Sequence, residues 1–384
     1  MSNVVIIGAS HAAAEAISNL RRGGWQGDIT LIGEEDSLPY QRPPLSKAYF
    51  SQDVSAEKLL IKNEAFYEKA EVRVLMPCRA ISIYRASKTV VLDNGEYVQY
   101  SKLILATGTR ARKLAVEGGD LPNVKYLRTK DDVDRIKETL AAGAKLLVIG
   151  AGYIGLELAA SAVKQSIATT VLEVQDRVLE RVTSPVVSEF YQALHAEHGV
   201  DIRLSTGLKR FFEEDGKTYG ELEDGEHIEF DCAVVGIGVI PNVELAEEAG
   251  LACENGILVN LFTQTDDPDI YAVGDCSNHL NKFYGEMVRL ESVPNAMGQA
   301  KTAALSICGE DEEYNQLPWF WSDQYDVKLQ TAGLMQGYDE LSVDGNVEDK
   351  KFTVSYFKEH RLIAMDAINS PAAFMKAKKA IFNS

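Results

Sequence analysis

The stretch Gly150-Ala151-Gly152-Tyr153-Ile154-Gly155 follows directly on the apolar run Leu146-Leu147-Val148-Ile149. About 140 residues earlier, Val4-Val5-Ile6-Ile7-Gly8-Ala9-Ser10-His11-Ala12-Ala13 comes close to the same arrangement. Glycines at this spacing let a turn approach a pyrophosphate, whose charge then rests on amide N–H groups at the positive end of the next helix. Two such turns in one chain predict two bound dinucleotides. In the second turn Gly150, Gly152, Tyr153, Ile154 and Gly155 are the expected contacts. A helix over Leu156 to Val163 and a strand over Thr169 to Leu172 follow, ending in Glu173. An acid about 20 residues past the glycines is placed to hold a ribose 2′-hydroxyl and to repel a 2′-phosphate, so Glu173 predicts NADH rather than NADPH. Arg177, a little further on, is the one nearby cation able to swing towards a phosphate. In the first turn Ser10 and Ala13 replace two of the expected glycines; both are small, as close packing requires. Its second strand, Asp28 to Ile32, runs to Glu34, again a candidate ribose ligand. Taken alone, either turn also fits an ordinary β-α unit with small residues.

These turns need strands behind them, and the apolar runs do alternate with helix-like segments, the mark of an α/β chain with parallel sheets. Three prolines in Pro39-Tyr40-Gln41-Arg42-Pro43-Pro44-Leu45-Ser46-Lys47 preclude a regular strand and predict a fixed loop leading into a short helix. Lys88 to Leu92 reads as a strand closed by Asp93-Asn94-Gly95, and Leu103-Ile104-Leu105 as one ending in Ala106-Thr107-Gly108. A second β-α-β unit begins near residue 115 and closes near Val234-Val235-Gly236-Ile237-Gly238. The strand Ile270 to Val273 delivers Gly274-Asp275 at its carboxyl end, where ligands of open α/β sheets lie, making Asp275 a site candidate. From Pro318 onward the alternation in Phe352-Thr353-Val354-Ser355-Tyr356-Phe357 predicts a small antiparallel sheet, with a terminal helix over Ala372 to Ile381.

With 384 residues the chain has room for two or three domains. A net charge of −18 disfavours nucleic acid and anionic membrane as partners. The apolar stretch Leu146 to Val163 contains Glu157 and the glycine turn, so it is not read as a membrane span. Nothing near the N-terminus reads as an export segment. The cysteines Cys78, Cys232, Cys253, Cys276 and Cys308 form no close pair, which fits a reducing, cytoplasmic compartment and predicts neither a disulfide framework nor a metal site. His195 and His198 are three apart on a predicted helix and read as a solvated pair.

Several longer strings carry a resemblance: Pro43-Pro44-Leu45-Ser46-Lys47, Ala106-Thr107-Gly108-Thr109-Arg110, Arg177-Val178-Leu179-Glu180-Arg181-Val182, Gly274-Asp275-Cys276, Arg289-Leu290-Glu291-Ser292-Val293-Pro294-Asn295-Ala296 and Pro318-Trp319-Phe320-Trp321-Ser322-Asp323-Gln324. Over almost its whole length the chain resembles the FAD-dependent pyridine-nucleotide oxidoreductases of the glutathione-reductase fold. Within them it is most similar to the ferredoxin reductases that feed bacterial cytochrome P450s and ring-hydroxylating dioxygenases. The resemblance implies two Rossmann-like dinucleotide-binding domains and a small C-terminal α+β domain. It divides the chain into an FAD domain at 1–112 and 242–317, an NAD domain at 113–241 and a C-terminal domain at 318–384.

By position, the resemblance implies that Gly8, Ser10, Ala12, Ala13 and Glu34 hold the adenosine and pyrophosphate of FAD, with the backbone at Ala80 along the adenine. Arg42, Lys47 and Arg128 reach the pyrophosphate or flavin, Asp275 the ribitol, and Val293 presents its backbone to the isoalloxazine. The second turn, Glu173 and Gly238 hold NADH, with Glu157 near the nicotinamide and paired with Lys47. Lys47 is expected to offset the charge of the reduced flavin, and Trp321, with Trp319, to stand at the flavin edge on the electron exit. No cysteine stands in Gln41-Arg42-Pro43-Pro44-Leu45-Ser46, where thiol-dependent members of the fold carry theirs. The implied acceptor is therefore external, a [2Fe-2S] ferredoxin, docking on a basic patch sought at Lys301, Lys376, Lys378 and Lys379. Rubredoxin-directed or oxidase-like flavoenzymes, and an NADH-sensing flavoprotein that docks partners, are the alternatives. The protein is expected to be a monomer or weak homodimer.

Overall fold

The computed structural model describes residues 2–383. Two compact units are present. The first runs to Gln41 and resumes over Leu59–Arg110 and Ile240–Phe320; the second takes Arg42–Lys58, Ala111–Val239 and the chain from Trp321 onward.

The first unit is built on a five-stranded parallel sheet in the order Ile270–Ala272, Lys102–Leu105, Asn3–Ile7, Asp28–Ile32, Val72–Leu75. Val4, Val5 and Ile6 are fully buried because the sheet is covered on both faces, which explains the unbroken apolar run rather than an alternating one. One face carries the helices His11–Arg22 and Val293–Ile307, whose contact is made of Ala12, Ala13, Ala16, Ala300, Ala303 and Ala304. Side chains this small let the two helices and the sheet close up, so the first turn keeps alanine where glycine was expected. The opposite face is covered by an antiparallel meander, Ala80–Tyr84, Thr89–Leu92 and Tyr97–Gln99, through Ile83, Val90 and Val98. Counting only this sheet's strands along the chain, the spatial order is 5-4-1-2-3. The order of connection therefore reverses between the parallel strands Asn3–Ile7 and Lys102–Leu105, the place where ligands of open α/β sheets lie, beyond the carboxyl ends.

The second unit repeats the plan with Asp201–Arg203, Ala168–Leu172, Lys145–Ile149, Cys232–Val235 and Val124–Tyr126, all parallel. Here the switch falls between Lys145–Ile149 and Cys232–Val235, directly before Gly150 and Gly236. An antiparallel three-stranded flap, Leu208–Glu214, Lys217–Leu222 and His227–Phe230, packs Phe211, Leu222 and Phe230 on this sheet. Its glutamates and lysines mask the alternation, and the sequence does not announce it. The chain ends in a five-stranded antiparallel sheet ordered Trp319–Gln324, Val327–Gly333, Arg361–Ile368, Lys351–Lys358, Glu340–Asn346, and the helix Pro371–Phe382. The proline-rich loop contains the predicted short helix as a 3₁₀ turn, Pro43–Ser46. No helix among the described residues is long and apolar enough to cross a membrane.

Candidate functional site

In the first cradle the backbone does the shaping. Gly8 has φ +106°, and a Cβ there would lie 2.1 Å from the Ala106 carbonyl oxygen, so only glycine passes between the two strand ends. Ser10 stands at the N-cap position of the helix His11–Arg22, whose first turn carries no acid, so its positive end is of the kind that favours an anion. Ala12 and Ala13 lie in the core behind that turn. Glu34 follows the strand Asp28–Ile32 and is exposed, 3.8 Å from Arg79. Ala80 opens the first strand of the meander.

Asp275 sits in a 3₁₀ turn, Gly274–Cys276, at the end of the strand Ile270–Ala272. The turn is pinned from beneath: Gln299 Oε1 accepts from the Gly274 amide at 2.7 Å and from Ser277 Oγ at 2.8 Å. Thr109 Oγ1 donates to the Asp275 carboxylate at 3.4 Å and Arg289 to its carbonyl at 3.1 Å. Val293 opens the long helix Val293–Ile307 behind the Ser292 cap.

The second cradle is stricter. Gly150 has φ +103°, and a Cβ there would stand 2.6 Å from the Gly236 carbonyl oxygen; one at Gly155 would stand 2.2 Å from the Gly150 oxygen. Gly152 differs, since a Cβ there meets nothing within 4 Å. The protein's own packing does not require that glycine, which leaves open space beside the turn. Glu173 accepts from the Ala151 amide at 2.7 Å and the Gln175 amide at 3.0 Å, which fixes an acid at the mouth of the turn. Arg177 does not swing: its guanidinium donates to the carbonyls of Thr183 and Glu180 and to Ser188 Oγ, at 2.7–2.8 Å, holding its own loop closed. Gly238, φ +101°, follows the partner strand. Tyr153 begins the helix Tyr153–Lys164, with Ile154 exposed beside it. Burial and the nearby Asp366 hold the Tyr153 hydroxyl well above the ordinary phenol range, where it bonds to the Thr331 side chain.

One turn further along that helix Glu157 is buried, 5 % exposed, and three donors converge on it. Lys47 Nζ lies 2.5 Å from Oε2, Ser46 Oγ donates to the same oxygen at 2.6 Å, and Ser322 Oγ donates to Oε1 at 2.6 Å. Ser161, a turn below, ties the Pro43–Ser46 helix down through the Ser46 carbonyl at 2.9 Å. A carboxylate this deep is tolerable only when its oxygens are this fully donated to. Lys47, whose side chain keeps a fifth of its surface, is the open side of the group. Arg42 donates to the Arg128 carbonyl at 2.7 Å, and Arg128 in turn leads into the capped helix Lys130–Thr139. Trp321 is half-buried in the strand Trp319–Gln324, on the face opposite Ser322 and Gln324.

Sequence reasoning assigned no role to Ser46 and Ser322, although both lie inside strings it singled out; only the three-dimensional approach to Glu157 marks them. Two expectations need correction. His195 is not solvated but fully buried, because the helix Pro185–Glu197 turns that face inward, where burial lowers its pKa from 6.5 to about 4. The sought basic patch thins out as well: Lys301 is paired with Glu312 at 2.9 Å and Lys378 is half-buried, leaving Lys376 and Lys379 exposed.

No thiol is near either cradle in a reactive form. Cys276 is fully buried, donates to the Val273 carbonyl at 3.4 Å, and is pushed up in pKa by burial.

Residues 2–300 match the family described as pyridine nucleotide-disulphide oxidoreductase, and residues 319–384 match a reductase C-terminal domain. Putidaredoxin reductase from Pseudomonas putida is 42% identical over 99% of this chain and 91% of its own. A rubredoxin-NAD(+) reductase from Pseudomonas putida is 40% identical over 96% of each. The structure of a covalent putidaredoxin reductase–putidaredoxin complex superposes with a TM-score of 0.96 at 42% identity, covering 100% of this chain and 93% of that one.

Proposed function

The chain belongs to the pyridine nucleotide-disulphide oxidoreductase family, and we propose that this oxidoreductase uses FAD to take electrons from NADH and pass them to a [2Fe-2S] ferredoxin serving a cytochrome P450 or a ring-hydroxylating dioxygenase. The observation that carries the reading is the likeness over nearly the full length to a reductase solved together with its redox protein. FAD in such a site accepts two electrons together and releases them one at a time.

The chain's own residues divide the remaining work. Gly8 and the helix start at Ser10 would bind the FAD pyrophosphate, with Glu34 on the ribose, Ala80 along the adenine, Asp275 on the ribitol and Val293 at the ring. Gly150 to Gly155 and Gly238 would bind the nicotinamide nucleotide. Glu173, held by the Ala151 amide, selects NADH by repelling a 2′-phosphate. Lys47, kept in place by Glu157, supplies a fixed positive charge on the flavin side, helped by Arg42 and Arg128. Trp321 lines the electron exit. We assign FAD to 1–112 and 242–317, NADH to 113–241 and the third domain to 318–384. The unpaired thiols support a cytoplasmic location. A rubredoxin is the second candidate acceptor, because a rubredoxin-NAD(+) reductase is nearly as similar.

Anaerobic rapid mixing decides between these. NADH, and not NADPH, is expected to bleach the flavin within the mixing experiment, and oxidised [2Fe-2S] ferredoxin at micromolar concentration to restore its colour. Colour returned by rubredoxin alone would select the second reading; a reduced protein that neither reoxidises would refute both.

A further inference from the structure

The Glu157 carboxylate is the end of a longer chain of hydrogen bonds. Ser322 Oγ, which donates to Glu157, accepts from Gln324 Nε2 at 3.2 Å; Gln324 Oε1 lies 2.8 Å from His195 Nε2; and His195 Nδ1 lies 3.0 Å from the Tyr325 hydroxyl. Ser322, Gln324 and His195 are all essentially inaccessible to solvent, whereas Tyr325 is half-buried and stacks on the ring of His198 at 3.8 Å between centroids. Proton positions along this line follow from one contact, the pairing of the Glu157 carboxylate with Lys47. A carboxylate can only accept, so Ser322 spends its single hydrogen on it and must itself accept from the next group. Gln324 must then turn its amide nitrogen towards Ser322 and its oxygen towards His195. That oxygen only accepts, so His195 carries its proton on Nε2. The neutral ring is left with a bare Nδ1, to which the Tyr325 hydroxyl donates.

We infer that Gln324, His195 and Tyr325 are positioning residues for the Lys47–Glu157 pair, forming a one-way donor chain that runs from the half-buried Tyr325 hydroxyl to the Glu157 carboxylate and holds it oriented. Bonds aligned in one sense polarise and strengthen each other, so the carboxylate at the acceptor end is held in one orientation. His195 stays neutral at physiological pH because burial lowers its pKa to about 4, which preserves the acceptor that Tyr325 needs. Other titratable groups facing this chain are Lys47 at Glu157, Tyr191 on the helix Pro185–Glu197, Asp323 next to Ser322, and His198 and Lys164 around the Tyr325 ring. The inference rests on the proposal that Lys47, kept in place by Glu157, supplies a positive charge on the flavin side, but its first test does not.

That test is nitrogen NMR of the intact flavoprotein labelled at histidine, with the His195 signal identified through His195→Gln. A neutral ring protonated at Nε2 from pH 8 to pH 5 is expected; a ring protonated at Nδ1, or charged at pH 7, overturns the chain. The second test is NADH-dependent flavin bleaching. Gln324→Leu and His195→Leu are expected to slow bleaching roughly tenfold at pH 7, with NADH affinity kept. His195→Gln, which restores an N–H donor to Gln324, recovers most of the rate. Tyr325→Phe, at the accessible end, serves where a buried variant fails to fold and gives a smaller loss of the same sign. Bleaching at the wild-type rate in variants that fold, or no recovery in His195→Gln, overturns the positioning role. Wild-type protein that NADH does not bleach counts against the proposed function, while the NMR result still decides the chain.

Discussion

Single side chains settle the charge balance of this molecule. Glu157 is buried and, among the described residues, Lys47 is one of three donors to it. Lys47→Met leaves a buried anion, and a loss of about 2–3 kcal/mol is expected in urea unfolding. This is below the value for a fully enclosed pair, since Lys47 is partly solvated and both serine hydroxyls remain. The double substitution Lys47→Met with Glu157→Leu removes the stranded charge and is expected to recover most of that loss. Under the proposed function Glu173 acts on selectivity instead. Glu173→Ala is expected to raise the KM for NADH roughly tenfold and to erase most discrimination against NADPH, because an acceptor for a ribose hydroxyl and a repulsive charge go together. Arg177 cannot supply a phosphate site in compensation, tied as it is into its own loop. The placement of Glu173 against the glycine turn was legible in the sequence because it lies at a local interval after that turn. Ser46, Ser322, Gln324 and His195 were not, because their meaning lies in contacts spanning more than a hundred residues, such as the 165 between Ser322 and Glu157.

At the scale of the element, the two glycine turns look alike in sequence and contain glycines of different kinds. Gly150 is required by the fold, with positive φ and a carbonyl where a Cβ would go, so Gly150→Ala is expected to cost about 2–4 kcal/mol or to prevent folding. Gly152 has ordinary extended geometry at the helix cap and open space above it, so Gly152→Ala is expected to stay within about 1 kcal/mol of wild-type stability. The same variant is nevertheless expected to bind NADH much more weakly by titration; unchanged affinity would place the pyrophosphate elsewhere. The βαβ units, the proline-rich 3₁₀ turn and the terminal helix were legible because apolar runs, prolines and periodicity are local signals. The flap at Leu208–Phe230 was hidden, since charged residues on its solvent face break up the pattern that its buried Phe211, Leu222 and Phe230 would otherwise show.

For the whole molecule, the buried histidines fix the response to acid. His195 and His279, one in each unit, are both nearly inaccessible and both lowered from 6.5 to about 4, chiefly by burial. Each is neutral when folded but takes up a proton below pH 6.5 when unfolded, so the stability present above pH 6.5 is lost as pH falls towards 4. About 2 kcal/mol per histidine is expected to disappear between pH 7 and pH 5, measured by urea unfolding. His195→Gln should flatten that slope by about half; an unaltered slope would mean that the ring is already charged in the native state. The five cysteines point to a different kind of endurance. Cys78, Cys232, Cys253, Cys276 and Cys308 all have their thiols pushed up by burial, Cys232 and Cys253 to about 11. The alkylatable, peroxide-sensitive form is the thiolate, and at neutral pH almost none is present. Turnover is therefore expected to survive prolonged iodoacetamide or dilute hydrogen peroxide at pH 7, a tolerance that follows from how deeply the thiols are packed.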